Sequence, residues 1–170
     1  VGFQRRFFSQ LVATDRKKSL ANLRQNVIAT MMTLCVFRKH SVDVDFGLLQ
    51  AIPLKLLRSD AKHCFGKTIF KPGFQKSGCT AGVGKTFQRG QWVKEVRLHR
   101  FLLESDWRHY GEFVLFHEFV HCIGLLHHNK KFYEIESQWP GLDEKEGIRF
   151  SRYLALRRAR IHWLCPTCKP

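Results

Sequence analysis

Residues 113–126 are apolar at almost every position, yet they enclose two histidines and a glutamate. Phe113, Val114, Leu115 and Phe116 lead into His117-Glu118-Phe119-Val120-His121, and Ile123, Leu125 and Leu126 follow. The pattern predicts a helix over 109–124, apolar nearly all round and therefore buried. Burying an unpartnered polar group costs about 2–7 kcal/mol, so these three side chains need something to pair with. Histidines four residues apart leave one helical face with their Cβ atoms about 6 Å apart, within reach of a single metal ion. Glu118 lies beside the first of them, placed to polarise water on that metal rather than to bind it. Gly124 is suited to end the helix, and His127 and His128 follow at once, either one able to be a third ligand.

His117, His121 and His127 around Gly124 fit HExxHxxGxxH, the metzincin pattern, but that family also needs a methionine turn downstream. The chain's methionines, Met31 and Met32, lie far upstream, which argues against it. The phrase His128-Asn129-Lys130-Lys131-Phe132 resembles instead the H-x-x-x-F phrase of SprT-like (Spartan-type) metalloproteases and the related WLM group, where a third histidine ligand opens the next helix. Here the phrase runs on through Tyr133 to Trp139 as a short amphipathic helix ended by Pro140. Upstream, Val96 to Leu103 is similar to the edge strand and turn before the active helix of that family, and Gly78 to Gly82 to its glycine-containing strand. The resemblance spans residues 61–168 and is strongest over 96–139. Asparagine stands where the family has glycine after the third histidine, and the interval between second and third ligands is short. His127 therefore stays as the alternative to His128.

The resemblance implies a zincin-like HExxH helix in which His117, His121 and His128 hold Zn²⁺ and Glu118 is the general base. It implies a zinc metalloendopeptidase of DNA repair, cleaving proteins bound or crosslinked to DNA with low sequence specificity. A reading from another class is a nucleic-acid-binding accessory protein whose zinc site is purely structural, closed by four protein ligands such as His127 and His128 beside the helical pair.

Charge bears on the partner. Residues 104–146 carry nine acidic and four basic side chains, a balance of −5, whereas the rest of a chain of net charge +15 stands at +20. A basic surface around a less basic segment suits contact with DNA, single-stranded or damaged. Arg149, Arg152, Arg157, Arg158 and Arg160, with Tyr153 and Trp163, form a candidate phosphate- and base-gripping helix. The six cysteines include Cys35, Cys64, Cys79 and Cys122, scattered singly, and no signal peptide is evident; a reducing, intracellular setting is expected. No apolar stretch approaches the roughly 20 residues that span a bilayer.

Hydrophobic residues, 44% of the 170, are enough for one domain with a proper core. Leu20, Leu23, Val27, Met31 and Leu34 recur at helical spacing and predict an amphipathic helix over 16–38, with Arg16, Lys17, Lys18 and Arg24 outward. A helix bent by Pro53 is expected over 46–57. Strands are expected over 66–71, 79–87 and 92–98, with helices over 129–138 and 143–162. Strands followed by helices predict an α+β fold with a small antiparallel sheet. The division expected is an N-terminal helical region at 1–60, a SprT-like domain at 61–162 and the start of a zinc ribbon at 163–170. That ribbon half-site is Cys165 and Cys168, which need two further ligands. Gly82 to Thr86 superficially suggests a phosphate loop, but the Walker pattern needs glycine where Cys79 stands, so a turn between strands is expected.

Overall fold

The computed structural model describes residues 2–58, 61, 64–74 and 92–159, with side chains from Thr14 onward. The order is α1 (Gly2–Thr33), α2 (Val36–Lys39), α3 (Phe46–Ala51), β1 (Leu54–Leu56), β2 (Gly66–Phe70), β3 (Val93–Leu98), α4 (Arg108–Cys122), α5 (Lys130–Glu136) and α6 (Glu146–Arg158). Two short 3-10 turns, Arg100–Leu103 and Ser105–Trp107, join β3 to α4. The fold is α+β. The expected strand at 79–87, the segment Gly78 to Gly82, the turn at 82–86, Arg160, Trp163 and the Cys165/Cys168 half-site lie outside the described residues.

The sheet is mixed rather than antiparallel. Its order is β1-β3-β2, with β1 parallel and β2 antiparallel to β3. The strand expected at an edge, β3, is the central one. The parallel strand comes from a segment that sequence pattern assigns to a helix. Asp45 caps α3, its carboxylate accepting from the Leu48 amide at 2.9 Å, but Pro53 cannot continue the helix and forces Ile52 into extended backbone, ψ 126°. The Pro53 carbonyl then accepts from the Val96 amide at 2.9 Å and starts the parallel pairing.

α1 packs along α4, with Leu23, Val27 and Met31 buried in the same core as Phe116 and Phe119. Arg24, expected to face outward, is half-buried; its guanidinium reaches the Gln50 and Ile52 carbonyls and pins α3 to α1. Phe116, Phe119, Phe132 and Phe150 are fully buried, each contributing about 1.5–3 kcal/mol by leaving water. Gly111 permits a close crossing, since a Cβ there would meet the Leu102 carbonyl oxygen at 2.5 Å. His99, buried at the end of β3, has its pKa pushed below the ordinary value by burial and then by Arg158 and Arg100, which disfavours its charged form.

Register sorts the two faces of the sheet. Leu54, Val96 and Thr68 form one cross-strand row, and Leu56, Leu98 and Gly66 the next; both face α4. Between them, on the opposite face, Lys55, Arg97 and Lys67 stand side by side across all three strands. Glu95 lies under this row, bonded to Lys55 Nζ at 2.6 Å and Arg97 Nε at 2.6 Å. Those two bonds, Lys55 first, hold its carboxyl below the usual carboxylate range. Among the described residues no helix is long and apolar enough to cross a membrane.

Candidate metal centre

Helix α4 delivers His117 and His121 from one face and ends in a way that finishes the site. Gly124, at φ 104°, takes the left-handed conformation that closes a helix at little cost only for glycine. Its amide bonds the His121 carbonyl at 3.1 Å and the Leu125 amide bonds the Val120 carbonyl at 3.3 Å, the paired pattern of a Schellman cap. This turn swings the Leu125 carbonyl over the His121 ring, where it accepts from Nδ1 at 2.7 Å.

Four residues later the chain returns. Asn129, which stands where the resemblance expects glycine, caps α5 by accepting from the Phe132 amide at 3.0 Å. The cap orients α5 so that fully buried Phe132 sits behind all three imidazoles, its centroid 5.0 Å from His117, 4.9 Å from His121 and 4.6 Å from His128. One turn further, Glu136 places Oε1 2.5 Å from Nδ1 of His117.

With both Nδ1 atoms so occupied, the Nε2 atoms converge. His128 Nε2 lies 3.2 Å from Nε2 of His117 and 3.2 Å from Nε2 of His121. In a tetrahedral site with metal–nitrogen bonds of about 2.0–2.1 Å, neighbouring ligand nitrogens stand about 3.3–3.4 Å apart, so the spacing fits. The Leu125 carbonyl and the Glu136 carboxylate accept hydrogen bonds, which favours the protons of His117 and His121 on Nδ1 and leaves the Nε2 lone pairs for an ion. These three histidines can hold a metal ion, their ligand atoms all lying within 4.8 Å of one another. His127 is exposed and lies outside the group. Among the described residues no fourth histidine, cysteine or carboxylate joins it.

Glu118, next to His117 on α4, packs into the seam between α4 and β2 and is only 5% exposed. The Thr68 hydroxyl lies 2.7 Å from its Oε2 and 3.2 Å from its backbone carbonyl. Burial pushes the carboxyl above its usual range, against the Thr68 hydrogen bond and nearby His117. Cys122, one turn on, is a buried free thiol that burial pushes well above the usual thiol range.

The arginines of α6 are mostly engaged within the molecule. Arg149 bonds Asp143 at 2.7 Å, Arg157 bonds the Tyr153 hydroxyl at 2.8 Å and lies over the Phe101 ring, and Arg158 reaches the Ala61 carbonyl. Arg152 is exposed. Glu136, Thr68, Gly66 and the Leu125 carbonyl are the site groups that sequence reasoning missed. Only Glu136 left a trace, standing four residues beyond Phe132 and eight beyond His128. Compared with family models, with curated proteins and with solved structures, the chain matches none.

Proposed function

We propose that this chain is a zinc-dependent metalloendopeptidase of SprT-like type that acts on proteins bound or crosslinked to DNA. The observation that carries the reading is the convergence of three imidazole nitrogens, two of them with acceptor-held Nδ1 protons, beside a buried carboxylate on the same helix. Three imidazoles suit zinc, and three protein ligands with a position left over mark catalytic zinc sites, whereas structural sites take four. The exposed position of His127, outside the group, favours this over the closed structural site.

Bound at the three Nε2 atoms, zinc would supply Lewis-acid polarisation of a scissile carbonyl and of an attacking water. His117 and His121 are held in one tautomer and one orientation by Glu136 and the Leu125 carbonyl. Glu118 takes the proton of the attacking water at its carboxylate and returns it to the leaving amine. Its buried setting raises its proton affinity, which suits a group that must hold that proton briefly.

For the DNA-directed part, the row Lys55, Arg97 and Lys67 on the outer sheet face supports a phosphate contact: one carboxylate, Glu95, pairs with Lys55 and Arg97, so the row keeps a net positive charge. The test of the activity is Glu118→Gln, which keeps shape and hydrogen bonding. Zinc content by metal analysis should stay at one per chain at this site, while cleavage of an unstructured protein falls about 10²- to 10⁴-fold. Parent-like cleavage by the variant would remove Glu118 as the base.

A further inference from the structure

We infer that Thr68, together with Gly66, positions Glu118 for the reaction, so that strand β2 is part of the machinery rather than only a wall behind it. The inference rests on the proposed peptidase reading.

Residues two apart on a strand share a face, and in β2 that face meets α4. Thr68 puts its hydroxyl 2.7 Å from Glu118 Oε2. Gly66 leaves empty the space that a side chain would fill: a Cβ there would stand 2.7 Å from Glu118 Oε1 and 2.9 Å from its Cγ. One residue bonds one carboxylate oxygen, and the other clears room for its twin.

The hydroxyl has a single proton to give. The shorter contact, to Oε2, has first claim on it over the 3.2 Å contact to the Glu118 carbonyl. A glutamate has three side-chain torsions, and an unanchored carboxylate would sample several positions. Anchoring Oε2 fixes the plane of the group and hence the direction in which Oε1 presents its lone pairs. A neutral donor does this without the fixed positive charge that a lysine or arginine would set against the incoming proton. Misplacing a reacting group by about 1 Å can cost on the order of 10²-fold in rate.

The experiment compares Thr68→Val, Thr68→Ser and Glu118→Gln in the full chain loaded with zinc, measuring kcat, KM and zinc content. T68V, close in shape but without the hydroxyl, should lower kcat about 10- to 10²-fold while KM and zinc content stay near the parent's. T68S should recover most of the loss. The double variant T68V/E118Q should cleave no more slowly than E118Q alone, because Thr68 acts only through the carboxylate. Should T68V not fold, Thr68→Ala, which leaves room for a water, takes its place with the same expected direction. Loss of zinc in T68V or T68A, an equal loss in T68S, or a further drop in the double variant would overturn the inference. So would unchanged kcat in T68V alongside an inactive E118Q, a result that leaves the peptidase reading standing. An active E118Q would sink the reading and the inference together.

Discussion

A carboxylate 2.5 Å from Nδ1 of His117 fixes the orientation of that ring. Partners of this kind change metal affinity about 10- to 100-fold when removed. Glu136→Ala should therefore weaken zinc by that factor in competition with a chromophoric chelator, with the helical circular dichroism unaltered. On the same assay His128→Ala should weaken binding far more than His127→Ala, because only His128 turns its Nε2 towards the helical pair. The reverse ranking would move the third ligand to His127. His117, Glu118, His121 and His128 stand out in the sequence because their chemistry is condensed into residues 117–128. Glu136 does not, since a glutamate on a short helix is ordinary until the helix is known to turn back over the site. Thr68 is silent for a different reason: it lies 50 residues from its partner, and nothing local to β2 announces a buried carboxylate.

At the scale of elements, the cap at Gly124 would join folding to metal binding. Its φ of 104° is costly for any residue with a Cβ, about 1–2 kcal/mol for alanine. Gly124→Ala should lower stability in urea by roughly that amount. It should also weaken zinc, because relaxing the turn withdraws the Leu125 carbonyl from His121. Loss of stability with parent-like affinity would show that the carbonyl contributes nothing. Helices α1, α4, α5 and α6 are readable from their apolar spacing, α4 also from the glycine that ends it, and β2 and β3 from their β-branched and aromatic runs. Segment 46–57 is not. Phe46, Leu48, Leu49, Ile52, Leu54 and Leu56 satisfy helical and strand spacing in turn, and β1 has only three residues. Such a strand exists because β3 offers it a partner, which is a tertiary fact. The antiparallel sheet was for the same reason the natural expectation from sequence and the wrong one: its parallel member cannot be recognised alone.

Over the whole molecule the charge is divided, −5 across residues 104–146 against +20 elsewhere. If about six phosphates are engaged, affinity for single-stranded DNA should fall on the order of 10³-fold between 50 and 200 mM salt. The α6 arginines are poor choices for testing this by reversal, since Arg149, Arg157 and Arg158 also hold the fold together. Exposed Lys67 and Arg152 are better. Lys67→Glu with Arg152→Glu should flatten the salt slope by about one to two units and slow cleavage of DNA-bound protein more than cleavage of a free peptide. Equal slowing of both, or binding indifferent to salt, would assign the basic surface to some other partner. The three imidazoles, the ring behind them and the carboxylate that orients one of them all come from residues 117–136, whereas Glu118 is steadied by a strand far earlier in the chain. Contacts close in sequence form fast and distant ones late. On the proposed reading the chain would capture its ion while still incompletely folded and become competent only when the sheet docks, so that a partly folded copy would carry metal but not a positioned base.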